Sequence, residues 1–514
     1  VSLTKSSSVV AIMTLASRVL GFVRDQVLAI VFGAGAITDV FLVAFKIPNF
    51  LRRLFAEGAF AQAFVPVFTE YKETHSPEAL RDLAAHVVGT LALILLVIST
   101  LGVMLAPLLV MLFAPGFIED EARFDLATHM LRITFPYLFF VSLLAYAGSI
   151  QNTFGRFAVP SFTPILLNVC MIAAALWFSP MFDQPIVALA WGVFAAGILQ
   201  LALQLPFLQK LGLLPKPRWG WKHSGVRRIL RLMAPAILGS SVAQINLLLD
   251  TVIASFLAVG SLSWLYYSDR LMEFPLGLLG VTLGTVILPR LSREHAQRSG
   301  NQFRRTIDWA LRLCALFGVP AAIGLIILAA PMLSTLFEYG KFTPADTTMA
   351  SYSLIAYSIG LPAFILIKIF APAFFARQDT KTPVRIGIIA LISNMAYNLI
   401  LVLPMVWFGF TAPHTALAIA TSMSAIQQAW MLYQKLGEQD IYRVSAELIA
   451  FCKRMVLAWL VLGVVIWILS QGDWHALDAT SRALNLLFII MAGAATYTAA
   501  LLLVGIRPKD LASP

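Results

Sequence analysis

The chain has 514 residues, of which 59% are hydrophobic and only 12% charged, and its net charge is +11. Soluble globular chains carry roughly 25% charged residues, so an ordinary soluble protein is excluded. The apolar runs are continuous and about 20 residues long rather than short and alternating, which excludes a β-barrel and predicts an all-α polytopic membrane protein.

The basic excess fits loops that fix membrane topology. No zinc-type spacing, RNA-binding repeat or helix-turn-helix pattern accompanies it, so no nucleic-acid partner is expected. Cys170, Cys314 and Cys452 are too far apart in sequence to imply a disulfide framework or a metal cluster. The polar N-terminus runs directly into a helix containing Arg18 and Arg24, unlike a cleavable signal peptide.

About 14 spans are predicted, at 8–30, 37–67, 82–112, 126–151, 160–179, 185–208, 229–257, 264–289, 307–330, 348–374, 384–407, 413–434, 451–471 and 485–506. One set of loops is basic, including Lys72 and Arg81, the run from Lys210 to Arg228, Arg290 to Arg305, Arg377 to Arg385, and Lys435 to Arg454. The alternating loops are short, apolar or acidic, as at Pro115–Asp125. The positive-inside rule places the basic set, and with it both termini, in the cytoplasm. An even number of spans agrees with that placement.

A faint repeat recurs at an offset of about 220 residues. Asn152–Arg156 followed by Pro160 resembles Phe374–Arg377 followed by Pro383, and Pro66 matches Pro289. The predicted organisation is an N-terminal lobe at 1–208 (spans 1–6), a cytoplasmic linker at 209–228, and a C-terminal lobe at 229–434 (spans 7–12). Spans 13 and 14 and a tail follow at 435–514. An offset of six spans makes the lobes parallel repeats about a pseudo-twofold along the membrane normal.

Charges occur where such a protein should have few. Ionisable groups at bilayer depth are costly and normally face a bundle interior or a wet cavity. The first constellation is Ser17-Arg18-Val-Leu-Gly21-Phe-Val-Arg24-Asp25, in which Gly21 is a candidate for a bend or a close helix contact. Arginine suits phosphate because its planar fork donates two parallel hydrogen bonds. The alternative is that Arg24 pairs with Asp25. In the next turn, Gly33 to Asp39, Thr38 or Asp39 is placed to cap the second span.

Lys46-Ile-Pro48-Asn49-Phe-Leu-Arg52-Arg53-Leu-Phe-Ala-Glu57 follows. Pro48 predicts a kink or break, Arg53 and Glu57 are spaced to pair, and Arg52 faces elsewhere. Asp250, with Asn394 and Asn398, is a candidate for ion coupling, and Lys368 for a counterion. Interhelical hydrogen bonding is the alternative for the two asparagines. Ser263-Trp264-Leu-Tyr266-Tyr267-Ser-Asp269-Arg270-Leu-Met-Glu273 puts Ser263 and Arg270 on one helix face and lets Arg270 pair with Glu273. Tyr266 and Tyr267 suit an interface belt or a wet cavity. No nucleophile elbow, HExxH pattern or phosphate-binding loop appears, so neither an enzyme nor an ATP-driven pump is expected.

The runs Ser17–Asp25, Thr38–Phe60 and Trp264–Pro275 resemble the MurJ (MviN) lipid II flippases of Gram-negative bacteria, within the multidrug/oligosaccharidyl-lipid/polysaccharide exporter superfamily. The resemblance implies 14 transmembrane helices: two six-helix lobes around a cationic cavity, and two further helices whose groove takes a lipid tail. It implies a cargo of lipid II, an undecaprenyl-pyrophosphate-linked muropeptide, moved to the periplasmic leaflet of the inner membrane for peptidoglycan synthesis.

It carries substrate-binding roles onto Arg18, Arg24, Asp39, Arg52, Ser263, Arg270 and Glu273. Asp25, Lys46, Arg53, Glu57 and Asp269 form a supporting charge network. No cofactor is expected, and coupling falls to the membrane potential, H+ or Na+. Expected partners are lipid II and membrane lipids, with other cell-wall synthesis proteins as further candidates. The competing reading is an ion-coupled exporter of another anionic or amphiphilic solute.

Overall fold

The computed structural model describes residues 3–54, 60–214, 216–297 and 299–507, and among these every regular element is helical. Packing divides the chain into two units, Val1–Gly260 and Ser261–Pro514. The first contains α1 (Leu3–Phe32), α2 (Ala36–Arg52), α3 (Ala61–Thr74), α4 (Pro77–Met104), α5 (Ala106–Phe113), α6 (Glu121–Thr134), α7 (Tyr137–Thr153), α8 (Ala158–Ala173), α9 (Val187–Lys210) and α10 (Ser224–Ser255). The second contains α11 (Ser261–Pro275), α12 (Thr282–Ala296), α13 (Gly300–Leu313), α14 (Val319–Ile327), α15 (Ala329–Phe337), α16 (Pro344–Phe375), α17 (Lys381–Trp407), α18 (Thr415–Glu438), α19 (Ala446–Leu469) and α20 (Ala479–Leu503).

Local chemistry sets the helix starts. The Ser76 hydroxyl accepts the Ala79 amide at 3.3 Å ahead of Pro77, and the Asp120 carboxylate accepts the Arg123 amide at 3.2 Å. Thr343 and Asp346 form a reciprocal capping box before α16. The Ser445 hydroxyl and the Asp478 carboxylate start α19 and α20 in the same way.

Among the described residues, nine helical stretches are long and apolar enough to cross a membrane. They differ in what covers them. The windows of α17, α19 and α20 are only 28% buried, and Leu403, Trp467 and Leu487 point outward, as lipid-facing helices require. The stretch Glu121–Thr153 is 78% buried and forms the core of its unit. Close helix contacts need glycine at two places in particular. A Cβ on Gly192 would lie 2.8 Å from Ala174 Cβ, and one on Gly360 only 2.5 Å from Ser422 Oγ.

The chain is not broken at Pro48. The helix α2 continues to Arg52, and the backbone then widens into π-type turns at Arg53–Leu54 and Phe60. A proline this near a helix end removes a single amide donor, which the remaining turn absorbs.

Several local irregularities occur in pairs 223 residues apart. A π segment at Leu276–Val281 separates α11 from α12, as the π-type turns lie between α2 and α3, and Pro66 and Pro289 follow within the next helices. Leu105 interrupts α4 and α5 at φ −91°, ψ 13°; Leu328 interrupts α14 and α15 at φ −94°, ψ 15°. The end of α7 places Gly155 at φ 71° and returns the Arg156 amide to the Gln151 carbonyl. The end of α16 places Gln378 at φ 62° and returns the Asp379 amide to the Phe374 carbonyl.

The first unit runs on to Gly260 because α10 packs on α3, α4 and α5. The segment between α9 and α10, predicted as a linker, lies against α4. Leu213 is buried, and the Arg218 amide donates to the Ala85 carbonyl at 3.0 Å.

Candidate functional site

In the first unit, α1 and α8 pack together and bury a guanidinium. Arg24 is 7% exposed and Asp25 2%. Arg24 donates from Nε and Nη2 to one oxygen of Asp25, at 2.9 and 2.6 Å, and from Nη1 to Asn168 Oδ1 at 3.0 Å. The Asn168 amide group in turn donates to the Ser17 carbonyl at 3.1 Å. A buried charge persists only when paired and hydrogen-bonded, and here both conditions hold. A Cβ on Gly21 would meet Asn168 no closer than 3.6 Å, so this glycine is not required by a close helix approach, and α1 runs through it unbroken. Arg18 lies on the same helix with its side chain exposed.

Asp39 is buried on the first turn of α2, but neither it nor Thr38 caps that helix. The Thr38 hydroxyl donates to the Gly33 carbonyl at 3.0 Å. Asp39 Oδ2 accepts the Gly260 amide at 2.7 Å and lies 3.7 Å from Arg123 Nη2, whose guanidinium rests 4.1 Å from the centre of the Phe117 ring. The sequence pattern of an Asp at a helix start suggests a cap; tertiary packing sends this carboxylate to the far end of α10 instead.

Lys46 donates from Nζ to Thr251 Oγ1 on α10 at 3.0 Å, and Arg52 from Nε to Asn49 Oδ1 at 2.7 Å. Arg52 is half-buried and Arg53 exposed. Glu57, and therefore the expected Arg53–Glu57 pair, lies outside the described residues.

In the second unit, α11 carries Ser263, which is fully buried, Asp269, which is half-buried, and Arg270 and Glu273. Arg270 Nη1 donates to Glu273 Oε2 at 3.0 Å, and the guanidinium sits 5.0 Å from the centre of the Tyr266 ring. The side chains are 34% and 49% exposed. Tyr267 takes neither an interface nor a cavity position. It is 1% exposed and packs with Phe337 and Phe342. Trp264 anchors α11 by donating to Asp346 Oδ1 at 2.8 Å.

The ion-coupling candidates do not form one cluster within a unit. Asp250 is half-buried on α10 of the first unit; Asn394 and Asn398 are fully buried on α17 of the second. Asn398 Nδ2 donates to Asn394 Oδ1 at 3.0 Å, and Asn394 Nδ2 approaches Thr421 Oγ1 of α18 at 3.5 Å. Lys368 is exposed on α16.

An apolar groove of about 710 Å³ lies between α14, α16, α18 and α19, lined by Phe370, Trp430, Tyr433, Val456 and Trp459. Sequence reasoning missed Asn168 and Arg123. Each carries a faint signal, one being a lone asparagine in an apolar span and the other a lone cation among four acids.

The family model described as "Lipid II flippase MurJ" matches residues 28–488. The chain is 50% identical to the probable lipid II flippase MurJ of Vibrio cholerae, over 99% of this chain and 97% of that one. It is 49% identical to the Haemophilus influenzae counterpart, over 97% and 99%. It is also similar to the solved structure titled "Lipid II flippase MurJ, inward closed conformation", with a TM-score of 0.80 and 28% identity over 96% of this chain and 97% of that one. An inward-facing multidrug transporter of the MATE family shares the fold, with a TM-score of 0.68 at 13% identity.

Proposed function

The chain belongs to the MurJ family of lipid II flippases, and from that premise we propose that it carries lipid II from the cytoplasmic to the periplasmic leaflet of the inner membrane by alternating access. It is a transporter rather than an enzyme. The observation that carries the site assignment is the division of the arginines by exposure. Arg24 is held by Asp25 and Asn168, whereas Arg18 is exposed on α1 and Arg270 is about one-third exposed on α11. A guanidinium left partly accessible to solvent can take up a ligand anion without first being dug out of a sealed network, and a pyrophosphate matches its forked donors.

Arg18, Arg52 and Arg270 belong to the cargo-binding set. Arg24 and Asp25 set the register of α1, Asp39 holds the chain just past α10, and Ser263 and Glu273 belong with Arg270 to the cargo-binding face of α11. The apolar groove beside α19 takes the polyprenyl tail, which lipid already solvates elsewhere.

The architecture proposed is 14 spans in two six-helix lobes with α19 and α20 added. The paired irregularities at Leu105 and Leu328, and at Gly155 and Gln378, support that repeat. The basic loops support cytoplasmic termini. Ion coupling at Asp250 or at Asn394 and Asn398 belongs to the same proposal, and a membrane potential of about 100 mV contributes about 2.3 kcal/mol per charge moved.

The test is rescue of cells depleted of their own lipid II flippase. The chain is expected to restore growth and externally accessible lipid II. Proper membrane insertion without either would overturn the cargo assignment.

A further inference from the structure

We propose that Asp82, His86 and His223 form a binding site for a transition-metal dication of the zinc class, tying the start of α10 to α4. The donors come from two elements. Asp82 and His86 are one turn apart on α4, and His223 precedes α10. Asp82 Oδ2 lies 3.3 Å from His86 Nδ1 and 3.4 Å from His223 Nε2, and one donor atom from each residue falls within 4.8 Å of the others. Tetrahedral zinc with bonds of about 2.0–2.2 Å holds its ligands roughly 3.3 Å apart. Two imidazoles and one carboxylate suit zinc, cobalt or nickel and do not suit magnesium or calcium. Asp82 is 42% exposed, which leaves an approach for the ion and room for water as a fourth ligand.

The site is held by packing that tolerates no side chain at two glycines. A Cβ on Gly220 would lie 2.6 Å from His86 Cβ, and one on Gly89 2.2 Å from the Arg218 carbonyl oxygen. The Gly220 amide also donates to Thr90 Oγ1 at 2.9 Å.

Two contacts are given up when the ion enters. His86 gives up the bond from Nδ1 to the Asp82 carbonyl at 2.8 Å, and His223 Nδ1 gives up the Gly225 amide at 3.1 Å as the tautomers exchange. Arg218, 3.5 Å from the other Asp82 oxygen and 66% exposed, keeps that oxygen or turns to solvent.

The experiment titrates the purified full chain with Zn2+ against a chromophoric chelator, with thermal unfolding read in parallel and Mg2+ as the control. One Zn2+ per chain and a raised Tm are expected, with no response to Mg2+. His86→Gln and His223→Ser should each weaken Zn2+ binding by about tenfold or more. Serine still caps α10, so His223→Ser separates a lost ligand from a lost helix start. Asp82→Asn, tested for the same loss, covers failure of either variant to fold. Zn2+ binding of native strength in His223→Ser or Asp82→Asn, or no stoichiometric binding by the native chain, overturns the site.

Discussion

Arg24 on α1 and Arg270 on α11 are alike in sequence, each beside or near a carboxylate, yet the structure treats them oppositely. Arg24 is sealed into a four-group network with Asp25, Asn168 and the Ser17 carbonyl. Arg270 pairs with Glu273 across one helical turn and lies on an aromatic face, with both side chains partly open. A sealed pair serves the fold, because removing one member strands the other in a low-dielectric interior. An open pair contributes little to stability, and in the proposed function it exchanges its partner for a ligand anion.

The largest effect that would break this contrast is at Arg24. Arg24→Ala leaves Asp25 buried without its cation and is expected to cost about 3–5 kcal/mol of stability. Adding Asp25→Ala should recover part of that loss, read as a Tm difference in a double-mutant cycle; no recovery would mean the network is not coupled. Next is Asn168→Leu, which removes an acceptor from a buried guanidinium and should cost about 1–3 kcal/mol.

Asp39→Asn should cost about 1–3 kcal/mol: the amide oxygen still accepts the Gly260 N–H, but Arg123, only 12% exposed, loses its carboxylate. An unchanged Tm in Asp39→Asn would show that the Asp39–Arg123 charge pair is not structural. Arg270→Ala is expected to change stability by less than about 1 kcal/mol while abolishing transport, so Tm and lipid II flipping should part company.

The smallest effect is a pH dependence at the start of α10. The folded His223 pKa lies below that of the unfolded chain, so its contribution to stability is complete above pH about 6.5 and is lost as pH falls through the depressed value. The native Tm should therefore drop more between pH 7 and pH 5 than that of His223→Ser.

Helices were legible because apolar runs and caps are local properties. The runs predicted at 185–208 and 384–407 correspond closely to α9 and α17. The partnership of Arg24 with Asp25 was legible as one of two readings, being adjacent in sequence. The role of Asp39 was not, since its acceptor function depends on an amide 221 residues away. Tyr267 reads as an interface residue by composition and becomes core because α11 turns that face toward Phe337 and Phe342. The segment after α9 looks like a linker from its prolines and charges. Its docking on α4 depends on two glycines whose importance appears only once the opposing backbone is in place.

The most direct test of the claim that the accessible arginines serve the cargo is the leaflet distribution of lipid II in depleted cells. The cells carry either the native chain or an Arg18→Ala, Arg270→Ala double variant of matched insertion and Tm. The account predicts outward-facing lipid II with the native chain and none with the variant. Equal restoration by both would contradict it, and would return these arginines to a structural role.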